Sequence, residues 1–384
     1  MTFQVPLEEG MKLRNGFLRK AKRVVVKVGS AVLTGDNGLN REIMDGLVRQ
    51  ISLLRKKGLE VIMVSSGAVA AGRRKLQLTK YSINIKEKQA IAAIGQSNLM
   101  RAYEDIFDNY DQKVAQILLT HDDLAHRDRY LNVRNTIFTL LEWGIIPIIN
   151  ENDTVSVEEL RFGDNDTLGA MITNLIEADI FLCLTDVEGL FTGNPSLDDT
   201  AEKVRTVAQV NRKVEKMAGN VQSALGTGGM ISKIRAAGMV AAGGGCSFIG
   251  SGCQPDVIDQ LFAGSEVGTF FLPKSEKLQS RKHWIAFTLK PKGELIIDSG
   301  ACRALVEGGK SLLPSGILEV QGRFKVGAPV VCLDQSGKKI ATGLVNYRSV
   351  DIEKVKGVRT SMMESILGFK DSDEVIHRDN LVIL

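Results

Sequence analysis

The stretch Val24–Ser30 reads VVVKVGS, a run of valines interrupted by one lysine and closed by glycine and serine. Continuous β-branched residues suit a strand buried on both faces, as in a parallel sheet. A lysine inside such a strand is costly unless its charge is paired or used. Lys27 therefore either meets a phosphate, which the small Gly29 and Ser30 let approach the backbone, or snorkels out of an edge strand.

Outward from this strand the pattern repeats. Apolar runs recur at Val61–Val64, Val114–Leu119, Ile145–Ile149, Ile180–Leu184 and Cys246–Ile249. Between the first two strands, Ile43, Leu47, Ile51 and Leu54 return at helical spacing, and Lys86–Tyr110 and Met230–Ala242 read as further helices. Strand and helix in alternation predict an α/β fold, a three-layer αβα sandwich around a mostly parallel sheet. Past Leu272 the texture changes. Pro273–Lys282 is polar and reads as linker, and short β-type runs follow at Leu295–Ile297, Ile317–Val320, Val330–Leu333 and Ile340–Val345. The expected organisation is an extension over 1–21, taken as a disordered lead-in, an α/β domain over 22–272, a linker over 273–290 and a small, mostly β domain over 291–384.

Composition narrows the class. Of the 384 residues 44% are hydrophobic and 24% charged, an ordinary globular balance. No apolar run reaches the roughly 18 residues of a membrane span, and the N-terminus lacks the apolar core of a signal peptide. Five cysteines without CxxC spacing and four scattered histidines exclude a disulfide framework and a zinc motif, and they point to a reducing, cytoplasmic setting. From Lys274 onward there are 18 Lys and Arg against 13 Asp and Glu, while the preceding part holds 31 against 32. The basic excess thus belongs to the tail, a weak pointer to a polyanionic partner.

In open α/β sheets ligands sit at the carboxyl ends of the strands. After the second strand comes Ser65-Ser66-Gly67-Ala68, an anion site at a helix start or a plain N-cap. After the fourth come Asn150-Glu151-Asn152-Asp153-Thr154 and then Gly163-Asp164-Asn165-Asp166. These can receive an amino acid, Asp taking its ammonium and Asn its carboxylate; they can also form Asx-rich turns or bind a divalent metal directly. After the fifth comes Thr185-Asp186, where an Asp can orient a lysine, contact nucleotide or make a turn. Gly226-Thr227-Gly228-Gly229-Met230-Ile231-Ser232-Lys233 opens a helix, and its amides and lysine suit phosphate oxygens, although neither the Walker A nor the Rossmann spacing is present. Together the parts describe a phosphoryl-transfer site. A carboxylate acceptor is already ionised at neutral pH and needs no general base, in keeping with the absence of histidine from these motifs.

The ordered set VVKVGS, VSSGAVAAG, INENDTV, FGDND, LTDVEGL and GTGGMISK resembles the amino acid kinase family, and within it the branch that phosphorylates the γ-carboxylate of L-glutamate to L-glutamyl 5-phosphate, the first step of proline biosynthesis. The resemblance implies that ATP and Mg2+ are used, with Lys27 and Lys233 on the transferring group and Asp186 holding the lysines. Lys27, Thr185, Asp186, Thr227, Gly228, Gly229, Met230, Ile231, Ser232 and Lys233 would contact ATP. Ser66, Asp153, Asn165 and Asp166 would bind glutamate. Magnesium would be carried by ATP, with Asp164 and Asp166 as alternative ligands. Proline as feedback inhibitor and a homo-oligomer are implied too. The tail resembles a PUA domain, for which a structural or regulatory role ranks above RNA binding. The competing readings are a sibling kinase acting on another carboxylate and an RNA-binding protein led by its tail.

Overall fold

The structure, a computed structural model, describes residues 4–35, 38–78, 84–155, 165–193, 195, 197–218, 229–274 and 280–384. Its contacts divide the chain into Met1–Lys277 and Leu278–Leu384.

The first unit is built on one sheet. Its strands are β1 (Arg23–Val28), β2 (Glu60–Ser65), β3 (Val114–Leu119), β4 (Ile146–Glu151), β5 (Ile180–Thr185), β6 (Thr206–Val207), β7 (Cys246–Ser251) and β8 (Thr269–Phe271). They lie in the order β3-β4-β2-β1-β5-β7-β8-β6. Every pairing is parallel except β7 with β8. The valine-rich strand is therefore central, as its composition requires: Val24, Val25, Val26 and Val28 are all 0% exposed. Each such side chain contributes on the order of 1.5–3 kcal/mol relative to leaving it in water.

The longer helices of this unit include α1 (Leu7–Lys20), α2 (Arg41–Lys56), α3 (Ala68–Lys75), α4 (Ile85–Asp108), α5 (Asn165–Leu175) and α6 (Met230–Ala242). Alternation along β1 sorts them. Val24, Val26 and Val28 share a core with Met44, Leu47 and Ile51 of α2 and Leu99 and Phe107 of α4. Lys27 points to the opposite face, where the α-carbon of Gly169 on α5 comes so close that an added β-carbon would lie 3.5 Å from Lys27 Cβ and 2.6 Å from the Phe181 ring. Helices α3 and α4 also meet through glycine: a β-carbon on Gly95 would lie 1.7 Å from Ala68 O, and one on Gly72 2.0 Å from Ile91 O. Any larger residue there would drive the two helices apart.

The N-terminal segment is not a disordered lead-in. Gly10, Arg14 and Leu18 form the buried face of α1. Arg14, 1% exposed, donates from Nη1 to Val267 O and from Nη2 to Ser265 O, both at 2.9 Å. Its guanidinium carbon lies 5.9 Å from the ring centres of Phe248 and Phe270. Burial pulls the Arg14 pKa down to about 10, against the opposing charge of Glu266. A charged residue at the centre of the buried face broke the apolar period that reveals a helix in sequence.

The second unit holds β9 (Gly293–Ile297), β10 (Ile317–Gln321), β11 (Pro329–Leu333), β12 (Lys339–Leu344) and β13 (Leu381–Ile383), in the order β10-β9-β11-β12-β13. Leu295, Ile297, Val330, Cys332 and Ala341 form its core with Leu305, Tyr347 and Ile352. Within the stretch read as linker, Ser280–Phe287 is helical, with Trp284 and Ile285 buried.

Candidate active site

The carboxyl ends of β1, β2, β4 and β5 meet the first turns of α5 and α6. Lys27 is the last residue but one of β1, and Lys233 lies in the first turn of α6. Their ammonium groups converge on Asp166, the second residue of α5, with Lys27 Nζ 2.5 Å from Oδ1 and Lys233 Nζ 3.1 Å from Oδ2. The three side chains are 6%, 7% and 1% exposed. Ser232 Oγ lies 2.7 Å from Asp166 Oδ2 and 2.8 Å from Gly229 O, two acceptors for its one proton, which places the glycine that precedes α6 beside the same carboxylate. Cys183 Sγ, opposite Lys27 in the sheet register, donates to Asp166 Oδ1 at 3.4 Å. Burial alone would raise the Asp166 pKa. The two ammonium groups, with the Lys27 and Ser232 hydrogen bonds, outweigh it and hold the carboxyl well below the usual carboxylate range.

This corrects one expectation. The residue that holds the lysines is Asp166, not Asp186. Asp186 lies exposed just past the end of β5, and its Oδ1 accepts from Thr185 Oγ1 at 2.9 Å. Asp166 is likewise not placed as an open substrate or magnesium ligand, because both of its oxygens are engaged by buried ammonium groups. Among the described residues no group of three or more His, Cys, Asp and Glu is placed to hold a metal. The expectations for Asp164, Thr227 and Gly228 lie outside the described residues. Gly229, Met230 and Ile231 are half-buried at the start of α6, beside the cluster.

A second, uncharged network adjoins the first, because Asn165 and Asp166 are neighbours on α5 and face different ways. Asn165 Nδ2 lies 3.0 Å from Ser65 O, 2.9 Å from Ser66 Oγ and 2.8 Å from Asn150 Oδ1. It thus joins the ends of β2 and β4. Asn150 Nδ2 in turn donates to Gln96 Oε1 at 2.8 Å, and Ser65 Oγ and Tyr103 OH are 2.9 Å apart. Burial pushes the Tyr103 pKa well above its ordinary value, so it stays a neutral phenol. Asn165 commits its amide nitrogen inward, so its oxygen remains for a ligand; the sequence had suggested an amide that receives an anion. Gly67, at φ +99°, turns the chain from Ser66 into α3. Asp153 is half-buried in the turn after β4.

The structure thus joins Lys27, Lys233, Asp166 and Ser232 in one cluster and Ser66 with Asn165 in the next. Gln96 and Tyr103 were missed. Gln96 is a polar residue inside the apolar face Ile91, Ala92, Gly95, Leu99 and Ala102, and that interruption was the available signal.

Residues 22–249 match the amino acid kinase family, and residues 293–367 match the PUA domain. The chain is 58% identical over 375 residues to a glutamate 5-kinase of Desulfotalea psychrophila, covering 97% of this chain and 100% of that protein. It is 51% identical over 373 residues to the glutamate 5-kinase of Geobacter sulfurreducens, at 97% and 100% coverage. It is 50% identical over 363 residues to that of Caldanaerobacter subterraneus, at 94% and 98%.

Proposed function

The chain belongs to the amino acid kinase family, among its glutamate 5-kinases, and we propose that it transfers the γ-phosphoryl group of ATP to the γ-carboxylate of L-glutamate. The observation that carries this reading is the pair of buried ammonium groups, 2.5 and 3.1 Å from the two oxygens of one carboxylate, at the carboxyl edge of a parallel sheet.

The site fits a polyphosphate. Two ammonium groups held side by side on one carboxylate suit the negative charge of an incoming phosphoryl group. A β-carbon on Gly29 would lie 3.7 Å from Lys27 Nζ, so glycine leaves open the space through which an anion reaches that ammonium. Magnesium, when bound with the nucleotide, neutralises phosphate charge. The residues that would hold the nucleotide are Thr185, exposed Asp186 and Thr227–Lys233.

In the transfer, a γ-carboxylate oxygen of glutamate forms a bond to the γ-phosphorus while the bond to the bridging oxygen of ADP breaks. The nucleophile carries its own negative charge, so no base is needed at neutral pH. Lys27 and Lys233 act on the charge spread over the equatorial and leaving oxygens. Asp166 holds both ammonium groups aimed, so little reorganisation is required during reaction. At the other end of the substrate, Asp153 and the Asn165 oxygen suit an ammonium group, and the Ser66 hydroxyl suits a carboxylate. Proline carries the same α-ammonium and α-carboxylate, which supports inhibition at this pocket. We assign the kinase to 22–272, a connecting segment to 273–290 and a regulatory or structural role to 291–384. The five free cysteines suit a reducing cytoplasm.

An ATP-dependent hydroxamate assay tests the reading, since hydroxylamine traps an acyl phosphate. L-Glutamate, L-aspartate, N-acetylglutamate and UMP are compared in parallel, and signal with L-glutamate alone is expected. Signal confined to another carboxylate would move the substrate assignment. ATP turnover with UMP and silence with every carboxylate would remove it.

A further inference from the structure

The amide network behind the substrate pocket has a direction, and two backbone groups set it. Glu151 N–H donates to Asn150 at 2.9 Å, so the receiving atom is the amide oxygen. The Asn165 atom 3.0 Å from the Ser65 carbonyl must be the amide nitrogen. Asn150 Nδ2 is thereby turned to Gln96, which at 2.8 Å can answer only with its oxygen. Among the described residues the Gln96 nitrogen donates to no group, so Gln96 enters the network as an acceptor alone. Its place is fixed by packing: it is 9% exposed and follows Gly95, the residue pressed against Ala68 O. A buried amide on an apolar helix face costs stability unless it is hydrogen-bonded.

We infer that Gln96 is a positioning residue for the amino acid substrate. It holds the Asn150 amide in one orientation. Asn150 then holds Asn165 with its nitrogen inward and its oxygen toward a ligand, the atom an α-ammonium group requires. The inference rests on the glutamate reading of the pocket and adds a specificity device to it. Without the Gln96 acceptor, Asn150 Nδ2 loses its partner, Glu151 N–H is left to orient that amide, and the hold on Asn165 slackens toward that of Ser65 O and Ser66 Oγ.

The test is steady-state kinetics on the full chain with the hydroxamate readout. Gln96→Met keeps length and apolar packing but removes the acceptor. KM for L-glutamate should rise about tenfold, with kcat and KM for ATP within about twofold of wild type. Gln96→Glu keeps an oxygen facing Asn150, so KM for glutamate should rank wild type, then Glu, then Met. A role in packing alone would lower the unfolding temperature without separating glutamate from ATP. The inference is overturned by an unchanged KM for glutamate in Gln96→Met, by a parallel rise for ATP, or by Gln96→Glu proving the worse of the two. Should Gln96→Met not fold, Gln96→Glu decides alone: a KM for glutamate within about threefold of wild type supports the inference, and a larger rise overturns it. Wild-type enzyme that fails to phosphorylate L-glutamate would overturn the underlying reading as well. Wild-type turnover with Gln96→Met unaltered would overturn only the role of Gln96.

Discussion

The two ends of the site are held by opposite physics. At the phosphoryl end, two ammonium groups and one carboxylate are buried within hydrogen-bond distance, 2.5 and 3.1 Å apart. At the substrate end, Asn165, Asn150, Gln96 and Ser66 carry no charge, and their contacts run from 2.8 to 3.0 Å. Neighbouring residues of one helix, Asn165 and Asp166, serve the two networks. An ionic cluster gives strong fields and fails abruptly, because removing one partner strands the others in a low-dielectric site. A neutral network gives direction and fails gradually, since each hydrogen bond is worth only about 0.5–1.5 kcal/mol net. Rate should therefore depend on the first and substrate affinity on the second.

The largest expected effect breaks the ionic end. Lys27→Ala or Lys233→Ala removes a cation from the transferring group and should lower kcat by about 10³-fold or more. Asp166→Ala should lower kcat comparably. It should also destabilise the fold by about 3–5 kcal/mol, because two ammonium groups then face each other without their shared carboxylate. Urea unfolding alongside the kinetics separates the two consequences. Near-normal turnover in any of the three would dissolve the contrast between the ends.

Acid should reproduce part of that loss without mutation. The Asp166 pKa is depressed in the folded state, so the unfolded chain takes up its proton first as pH falls. The contribution to stability is fully present above the ordinary carboxylate value of about 4 and is lost as pH falls through the lower folded value. Stability of the wild type should thus fall more steeply below about pH 4 than that of Asp166→Asn. Parallel curves would show that the cluster is not the source of the linkage.

A smaller effect is expected at the substrate end. Asp153→Ala should raise KM for L-glutamate by about tenfold or more, with kcat much less affected. A fall in kcat without a change in KM would place Asp153 with the ionic end instead.

The ease of reading each part in sequence follows the same division. The central strands were legible because residues buried on both faces are apolar at nearly every position, as in Val24–Val26 and Ile180–Leu184. Lys27 was legible because a charge in that setting stands out, and Lys233 because it follows a glycine-rich helix start. Their partner was not. Asn165, Asp166 and Asp186 are all short acids or amides at strand or helix ends, and composition cannot say which way each faces. About 100° of helical rotation separates Asn165 from Asp166 and sends one to the substrate end and the other to the lysines. Arg14 and Gln96 were hidden for the converse reason. Each is a polar residue on a buried face, hydrogen-bonded to groups distant in sequence: Val267 and Ser265 for Arg14, Asn150 for Gln96.

The smallest effect sharpens the contrast most, since it removes a neutral member from the charged cluster. Cys183 is fully buried and donates to Asp166 Oδ1 at 3.4 Å, the oxygen that also meets Lys27. Burial, reinforced by the Asp166 charge, pushes its pKa up to about 12, so it remains a thiol at any pH of interest. It adds no charge to the transferring group, and a sulfur donor is weak. Cys183→Ala should therefore leave kcat within about threefold of wild type and cost about 1 kcal/mol in stability or somewhat more, chiefly through the small void. Kinetics and urea unfolding on this one variant settle the matter. A kcat loss approaching that of Lys27→Ala would mean that the geometry of Asp166, rather than the two positive charges it holds, governs the rate.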